Sequence, residues 1–464
     1  MKISFHGADQ GVTGSCHLLE CAGKRILIDC GMYQGGRELK AENSEDFGFD
    51  PESIDYLLLT HAHLDHCGRI PLLAKRGFKG EVITTAASVE LARLVMLDSA
   101  GLQEEEARYQ SRRARRHGAN HDMDIEPLYN TVDALNSLDY FGRKAEYNKT
   151  LELASGIRAT FIDAGHILGS ASIFLELEEN AQKHRILFSG DLGYSNRAIL
   201  RNPVTPPKVD TVVMETTYGD RLHKQLQPSI EELYDIINRT IGRGGNVIIP
   251  TFALERTQEI LYYLREGVEN NSLKHFTNVF LDSPMAISAT QIFERHPECY
   301  DQATLQAAVG AKDPFDLPGL RFTRETAESI AISQIEGGAV IMAGSGMCTG
   351  GRVRHHLKHN LWGRKNSVIF VGFAARGTLA RRIIDGAKRV RIFSEDIKVN
   401  ASIHTIGGFS AHADQAELLV WHQQTGKPKT TFLVHGEEDS MQVFAKKLNG
   451  TQVEMPTLGQ EYTL

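Results

Sequence analysis

The hexapeptide His61-Ala62-His63-Leu64-Asp65-His66 follows directly on an apolar run, Ile54, Tyr56, Leu57, Leu58 and Leu59, and constrains this chain more than any other feature. Three imidazoles and one carboxylate stand within six residues, at the end of what reads as a buried strand. For His61 and His63 to close on one ion the extended chain must bend, and a strand-to-helix turn supplies that bend. Asp65 and His66 then fall at the start of the next helix, within reach of a second ion beside the first. Imidazole nitrogen with carboxylate oxygen suits Zn²⁺, and a site with a position left for water is catalytic rather than structural. Mn²⁺ or Fe²⁺ also accept such donors.

The partners such a site needs appear downstream. His166 lies in the glycine-flanked stretch Asp163-Ala164-Gly165-His166-Ile167-Leu168-Gly169, between two β-like segments. Asp191 closes Phe188-Ser189-Gly190, and His435 closes Thr431-Phe432-Leu433-Val434. Each is a ligand type at the exit of an apolar strand, the usual place for active sites in layered α/β folds. Asp29 follows Ile26-Leu27-Ile28 in the same way, and an acid there can orient a ligand histidine without touching metal.

The chain of 464 residues is long enough for two or three domains. No apolar run approaches membrane-spanning length, and Met1 to His6 lacks the apolar core of a secretory leader. Six cysteines are scattered with no CxxC pair, which predicts free thiols in a reducing cytoplasm and no zinc-binding cysteine. A net charge of −7 means the surface as a whole is not that of a nucleic-acid binder, though it leaves a local groove open.

Along the first stretch, short apolar segments predict β structure, with a hairpin turning at Ala22-Gly23-Lys24. Helix is expected over Glu90 to Ser99 and much of Glu104 to Tyr140, whose cluster Arg112, Arg113, Arg115 and Arg116 reads as a solvated face. The texture changes at Pro203, Pro206 and Pro207. Strands then alternate with helices, including a helix from Ser229 to Thr240 with Ser229 as N-cap and Glu232 completing a capping box. Such βα repetition implies a parallel sheet flanked by helices. After about residue 390 short β-like segments and histidine motifs return, as if one domain were interrupted by another.

The ligand order His61-x-His63-x-Asp65-His66, then His166, then Asp191, resembles the metallo-β-lactamase superfamily. Met214-Glu215-Thr216-Thr217-Tyr218-Gly219, Phe409-Ser410-Ala411-His412-Ala413-Asp414 and Val434-His435-Gly436-Glu437 look like the signature motifs of its β-CASP branch of RNA- and DNA-processing nucleases. The nuclease subunit of the cleavage and polyadenylation specificity factor and its prokaryotic relatives are the most similar group. The resemblance implies an α/β fold, an αββα sandwich interrupted by an inserted β-CASP domain. The expected division is 1–208 and 391–464 for the sandwich and 209–390 for the insert. It further implies two Zn²⁺ per chain, one held by His61, His63 and His166, the other by Asp65, His66 and His435, with Asp191 bridging.

Two metals can activate a water and brace the oxygens of an in-line displacement at phosphorus. The leaving alkoxide then needs a proton from outside the metal shell. His412 takes that role by resemblance, with Glu215 hydrogen-bonded to it and raising its protonated fraction. Asp65 is counted with the catalytic residues as well as with the ligands. For the substrate phosphates the candidates are Ser345, Gly346 and Arg352 in a glycine loop between strand and helix, with Arg376 and Ser410. His355 and His356 are adjacent on a helix, face different ways, and read as structural or groove residues rather than joint metal ligands.

The expected activity is therefore a di-zinc ribonuclease cutting single-stranded RNA internally, with metal-activated hydroxide as nucleophile and 3′-hydroxyl and 5′-phosphate ends as products. The alternatives are a small-molecule ester, lactam or thioester metallohydrolase and a non-catalytic RNA-binding scaffold. No membrane partner is expected; a homodimer is compatible with the reading.

Overall fold

The computed structural model describes residues 1–464 apart from 36, 117–124, 275–277, 310–312, 373 and 375–376. The chain divides into two compact units. One comprises Met1–Ser195, Asn202–Leu222 and His412–Leu464; the other comprises Asn196–Arg201 and His223–Ala411.

The first unit is built on two seven-stranded sheets. One runs through the N-terminal strands Lys2–Phe5, His17–Cys21, Lys24–Ile28, Tyr56–Leu58 and Glu81–Thr85. The other runs through Thr430–Val434, Thr211–Glu215, Gln182–Phe188, Ala171–Glu179 and Ile157–Asp163. Period-two alternation explains how the second sheet serves two layers. Phe432, Val434, Val213 and Phe188 join Ile3, Phe5, Ile26, Ile28 and Leu58 in a core shared by both sheets. Their neighbours Leu433, Val212, Met214 and Leu187 turn the other way, to Leu418, Trp421, Met441 and Phe444 of the helices Gln415–Gln424 and Glu438–Ala445. The expected hairpin forms, with Cys21 opposite Lys24 and both Ala22 and Gly23 at positive φ, the backbone twist that two-residue hairpin turns favour.

The second unit carries a six-stranded, wholly parallel sheet in the order Leu320–Phe322, Asn278–Leu281, Ala339–Gly344, Val247–Thr251, Ser367–Val371, Ser402–Ile406. Val247–Thr251, Ser367–Val371 and the first five residues of Ala339–Gly344 are buried throughout, the pattern of strands covered on both faces. The α/β class with a parallel-sheet insert is therefore the architecture observed.

Local boundaries differ from the sequence expectations. Thr211–Glu215 lies beyond 208 yet pairs in parallel with Ile186–Phe188 and Thr430–Val434 of the first unit. Ser402–Ile406 lies beyond 390 yet is the edge strand of the parallel sheet. An apolar run reads the same in either sheet, so pattern alone misplaces both boundaries. The helix expected from Ser229 begins three residues earlier, as Leu226–Gly242, with Gln225 at the cap. Pro228 is tolerated in a first turn because its N–H would be unpaired anyway. Ser229 instead donates its hydroxyl back to the Gln225 carbonyl at 3.0 Å.

Candidate metal centre

Strand ends bring the histidines together. After Tyr56–Leu58 the chain leaves the sheet and enters the short helix Leu64–Cys67, with His63 as its cap. That puts Asp65 and His66 in the first helical turn. Gly31 allows the adjacent chain to pass: a Cβ there would lie 1.6 Å from the Asp65 carbonyl oxygen. His166 sits in a tight loop where its N–H donates to Ser170 Oγ at 3.0 Å. Asp191 follows Gln182–Phe188, and Gly193 beyond it permits close passage of the His166 loop, since a Cβ would fall 1.8 Å from Gly165 O. Asp29 and His435, each directly after a strand, both adopt left-handed φ of 60° and 49°, a strained conformation that recurs at functional sites.

Two donor groups result. His61, His63, His166 and Asp191 each offer an atom, all within 4.8 Å of one another, and so do Asp65, His66 and His435. His61 Nε2 lies 3.1 Å from His63 Nδ1, and His166 Nε2 lies 3.2 Å from the same atom. Asp191 Oδ2 is 3.4 Å from His61 Nε2 and 3.5 Å from His166 Nε2. In the second group His66 Nε2 stands 3.3 Å from His435 Nε2, and His435 Nε2 stands 3.6 Å from Asp65 Oδ2. Asp191 reaches this group too, its Oδ1 lying 3.3 Å from His66 Nε2. A tetrahedral cation with bonds of about 2.1 Å has ligand–ligand edges of about 3.4 Å, so the donor spacing fits one. Asp191 Oδ1 is buried without a hydrogen-bond partner, and an orphaned carboxylate oxygen among imidazoles is a position a cation would satisfy. The residues fit a metal cofactor.

In the first donor group protonation favours the same use. Burial lowers the pKa of His61 and of His166, and takes His63 down to about 3, so these rings stay neutral with lone pairs available. His66 shares its other nitrogen, Nδ1, with Asp29 Oδ2 at 2.7 Å. Asp29 in turn accepts from the Thr60 N–H at 2.8 Å and the Thr60 hydroxyl at 2.9 Å. A histidine held at one nitrogen presents the other in a fixed direction. Thr217 Oγ1 contacts His435 Nδ1 at 3.1 Å. Thr60 and Thr217 escaped the sequence reading, because a threonine beside a ligand carries no spacing signal.

His412 stands at the edge of the cluster. Its Nδ1 lies 3.1 Å from Glu215 Oε1 and 3.2 Å from Oε2, and its Nε2 lies 4.0 Å from Asp191 Oδ2. Burial is the largest single influence and works against its charged form, but the carboxylates of Glu215, Asp191 and Asp65, Glu215 foremost, together outweigh it and lift the pKa to about 9. Glu215 is itself buried and fixed by the Leu192 N–H, 2.6 Å from Oε1.

The candidates for substrate contact lie in the second unit. Ser345 and Gly346 are partly exposed at the end of Ala339–Gly344, and the Phe252 ring packs on Gly346, where a Cβ would meet it at 2.7 Å. Arg352 is engaged by its own unit: it donates to Asp282 Oδ1 at 2.8 Å and to the carbonyls of Thr323 and Arg324. Asp282, fully buried, also meets His356 at 2.6 Å, Thr323 at 2.7 Å and Ser329 at 2.6 Å. That makes Arg352 and His356 struts of the loop. An acid at a strand end was the signal for Asp282, as it was for Asp29. Ser410 is buried, and Arg376 lies outside the described residues.

A sheet sandwich with histidine and aspartate donors gathered at its strand ends, in two groups sharing one aspartate, defines a metallo-hydrolase. Family models agree along the chain: Metallo-beta-lactamase superfamily over residues 10–235, Beta-Casp domain over 257–383, and Zn-dependent metallo-hydrolase RNA specificity domain over 396–456. The chain belongs to the metallo-β-lactamase superfamily, in its β-CASP branch of metal-dependent nucleases. It is 38% identical to Ribonuclease TTHA0252 of Thermus thermophilus over 462 residues, 99% of each chain. It is 30% identical to Transcription termination factor FttA of Methanocaldococcus jannaschii over 96% of this chain and 68% of that protein. A crystal structure of a protein of unknown function from Enterococcus faecalis V583 shares the fold, with TM-score 0.55 at 12% identity, covering 100% of this chain and 99% of that one.

Proposed function

We propose that this chain is a di-zinc endoribonuclease that cuts single-stranded RNA and leaves a 3′-hydroxyl and a 5′-phosphate. The observation that carries the reading is the His412–Glu215 pair beside the donor cluster, an imidazole held in one orientation by a buried carboxylate that favours its charged form. His61, His63 and His166 would hold one cation, Asp65, His66 and His435 the other, with Asp191 serving both. Bound there, such cations supply Lewis acidity, ionising water near neutral pH and offsetting charge on the phosphate.

The chain's own residues do the rest. His412 Nε2, turned toward Asp191 while Nδ1 faces Glu215, donates a proton to the departing ribose 3′-oxygen. Glu215 keeps that ring charged until the bond breaks, and Asp29 keeps His66 in a single tautomer. Asp65 adds negative charge at the mouth of the second donor group. RNA as substrate draws on the RNA-specificity family model at the C-terminal end and on the ribonuclease relative. Six buried free thiols support a reducing, cytoplasmic setting, and among the described residues no helix is long and apolar enough to cross a membrane.

The test is incubation of zinc-loaded protein with single-stranded RNA labelled at both ends, beside His412→Ala. Internal fragments with 3′-hydroxyl ends, absent from the variant, are expected. Terminal mononucleotides would replace the endonuclease reading with an exonuclease. A 2′,3′-cyclic phosphate end would overturn the mechanism, because it requires the ribose 2′-oxygen as nucleophile.

A further inference from the structure

A buried cluster of four ionisable side chains lies in the second unit. Arg197 donates from Nε to Glu259 Oε1 and from Nη2 to Glu255 Oε1, both at 3.1 Å. Arg256 pairs with the other oxygen of Glu259. Arg197, Arg256, Glu255 and Glu259 are each at most 7% exposed. Desolving charges costs several kcal/mol per ion, and apolar packing of equal volume commonly serves stability as well. Glu255 also holds φ 64° and ψ −60°, a conformation side chains rarely adopt. Stability alone is therefore a poor account of the cluster.

What an arginine fork does, and apolar packing cannot, is fix a third group. Arg197 Nη1 donates to the main-chain carbonyl of Ala411 at 3.3 Å. Ala411 is the residue immediately before His412. The preceding residues are clamped as well. A Cβ on Gly408 would lie 2.2 Å from Ser229 Oγ, and Phe409 is fully buried with its ring centroid 5.8 Å from that of Tyr263.

We infer that Arg197 is a positioning residue for His412: Glu255 and Glu259 hold its guanidinium, and the guanidinium holds the Ala411 carbonyl and so the backbone from which the imidazole projects. This rests on the reading of His412 as proton donor. Misplacement of a reacting group by about 1 Å can cost about 10²-fold in rate, so a modest slackening at Ala411 is enough to matter.

The test compares two substrates on the zinc-loaded full-length enzyme. In single-stranded RNA the P–O3′ bond breaks and the alkoxide must be protonated as it leaves. In uridine 5′-(p-nitrophenyl phosphate) the same hydrolysis gives UMP and p-nitrophenolate, which departs without a proton. His412→Ala is the reference, expected to lose RNA cleavage and keep the aryl ester. Arg197→Lys retains the buried charge but not the fork, and Glu259→Gln loosens the anchor while keeping an acceptor. Both are expected to reproduce the reference pattern, with kcat on RNA down about 10- to 100-fold and the aryl ester rate and zinc content unchanged.

An unchanged RNA rate in Arg197→Lys overturns the inference. So does a parallel loss on both substrates where His412→Ala separates them, since a merely structural role predicts that. If His412→Ala itself does not separate the substrates, or if the wild type leaves RNA intact, the proton-donor reading falls and takes the inference with it.

Discussion

Replacing Glu215 by glutamine removes one negative charge from beside His412, together with the oxygen that accepts from the Thr217 N–H at 3.3 Å. The glutamine oxygen still accepts from Leu192 N–H, which meets Glu215 Oε1 at 2.6 Å. His412, at about 9, owes most of its elevation to that carboxylate, while burial pulls the other way. Without the charge the imidazole returns to its ordinary 6.5 or below, a change worth about 3.4 kcal/mol. At about pH 8 the protonated fraction drops from about 0.9 to about 0.03, a roughly 30-fold loss of competent enzyme. A general acid works only while protonated, so activity is present below its pKa and lost as pH rises through it. Single-turnover cleavage of RNA across pH should show an alkaline limb near 9 in the wild type and near 6.5 in Glu215→Gln, the two rates converging toward acid. A variant slowed by the same factor at every pH, or one whose limb does not move, would refute the argument that Glu215 acts by keeping His412 charged.

Other perturbations test the surrounding framework. Asp29→Ala frees His66 Nδ1 and should weaken metal affinity about 10- to 100-fold, read by zinc titration against a chromophoric chelator. Chelation should lower the melting temperature in proportion to the logarithm of free metal, because cations bind the folded donors and not the unfolded chain; a melt indifferent to zinc would argue against a metal centre. Glu255, raised by burial to about 7 from 4.5, keeps its proton in the folded state over a range where the unfolded chain loses it. Stability should therefore fall as pH rises from 4.5 to 7, by about 3 kcal/mol at most, and Glu255→Gln should flatten that slope in urea melts at several pH values. Gly31→Ala puts a methyl against the Asp65 carbonyl and should abolish zinc binding at the second donor group or prevent folding, judged by metal content and circular dichroism.

Much of the site was legible in the chain because its rules are local. A ligand-type residue at the end of an apolar strand is a pattern spanning five or six residues, and Asp29, His61, Asp191 and His435 all carry it. Hairpin chemistry at Ala22-Gly23 and the alternation of strands with helices after residue 210 are local as well. The helix starting at Leu226 was read three residues late because Ser229 matches a cap as well as an interior residue that bonds back to Gln225. Arg352 was read as a phosphate contact because its loop position says nothing of Asp282, some seventy residues earlier, which occupies its guanidinium.

By itself, then, the sequence determined the donor inventory, its order, and the strand ends that present it, since hydrophobic period and turn chemistry act within a few residues. Tertiary structure alone decided which groups face each other: His66 with Asp29, His412 with Glu215 across 197 positions, Arg197 with Ala411 across 214. It also decided to which sheet Thr211–Glu215 and Ser402–Ile406 belong. The reason is that protonation and coordination depend on burial and on charges a few ångströms away. Those distances are set by packing between segments far apart in the chain, where no local pattern records them.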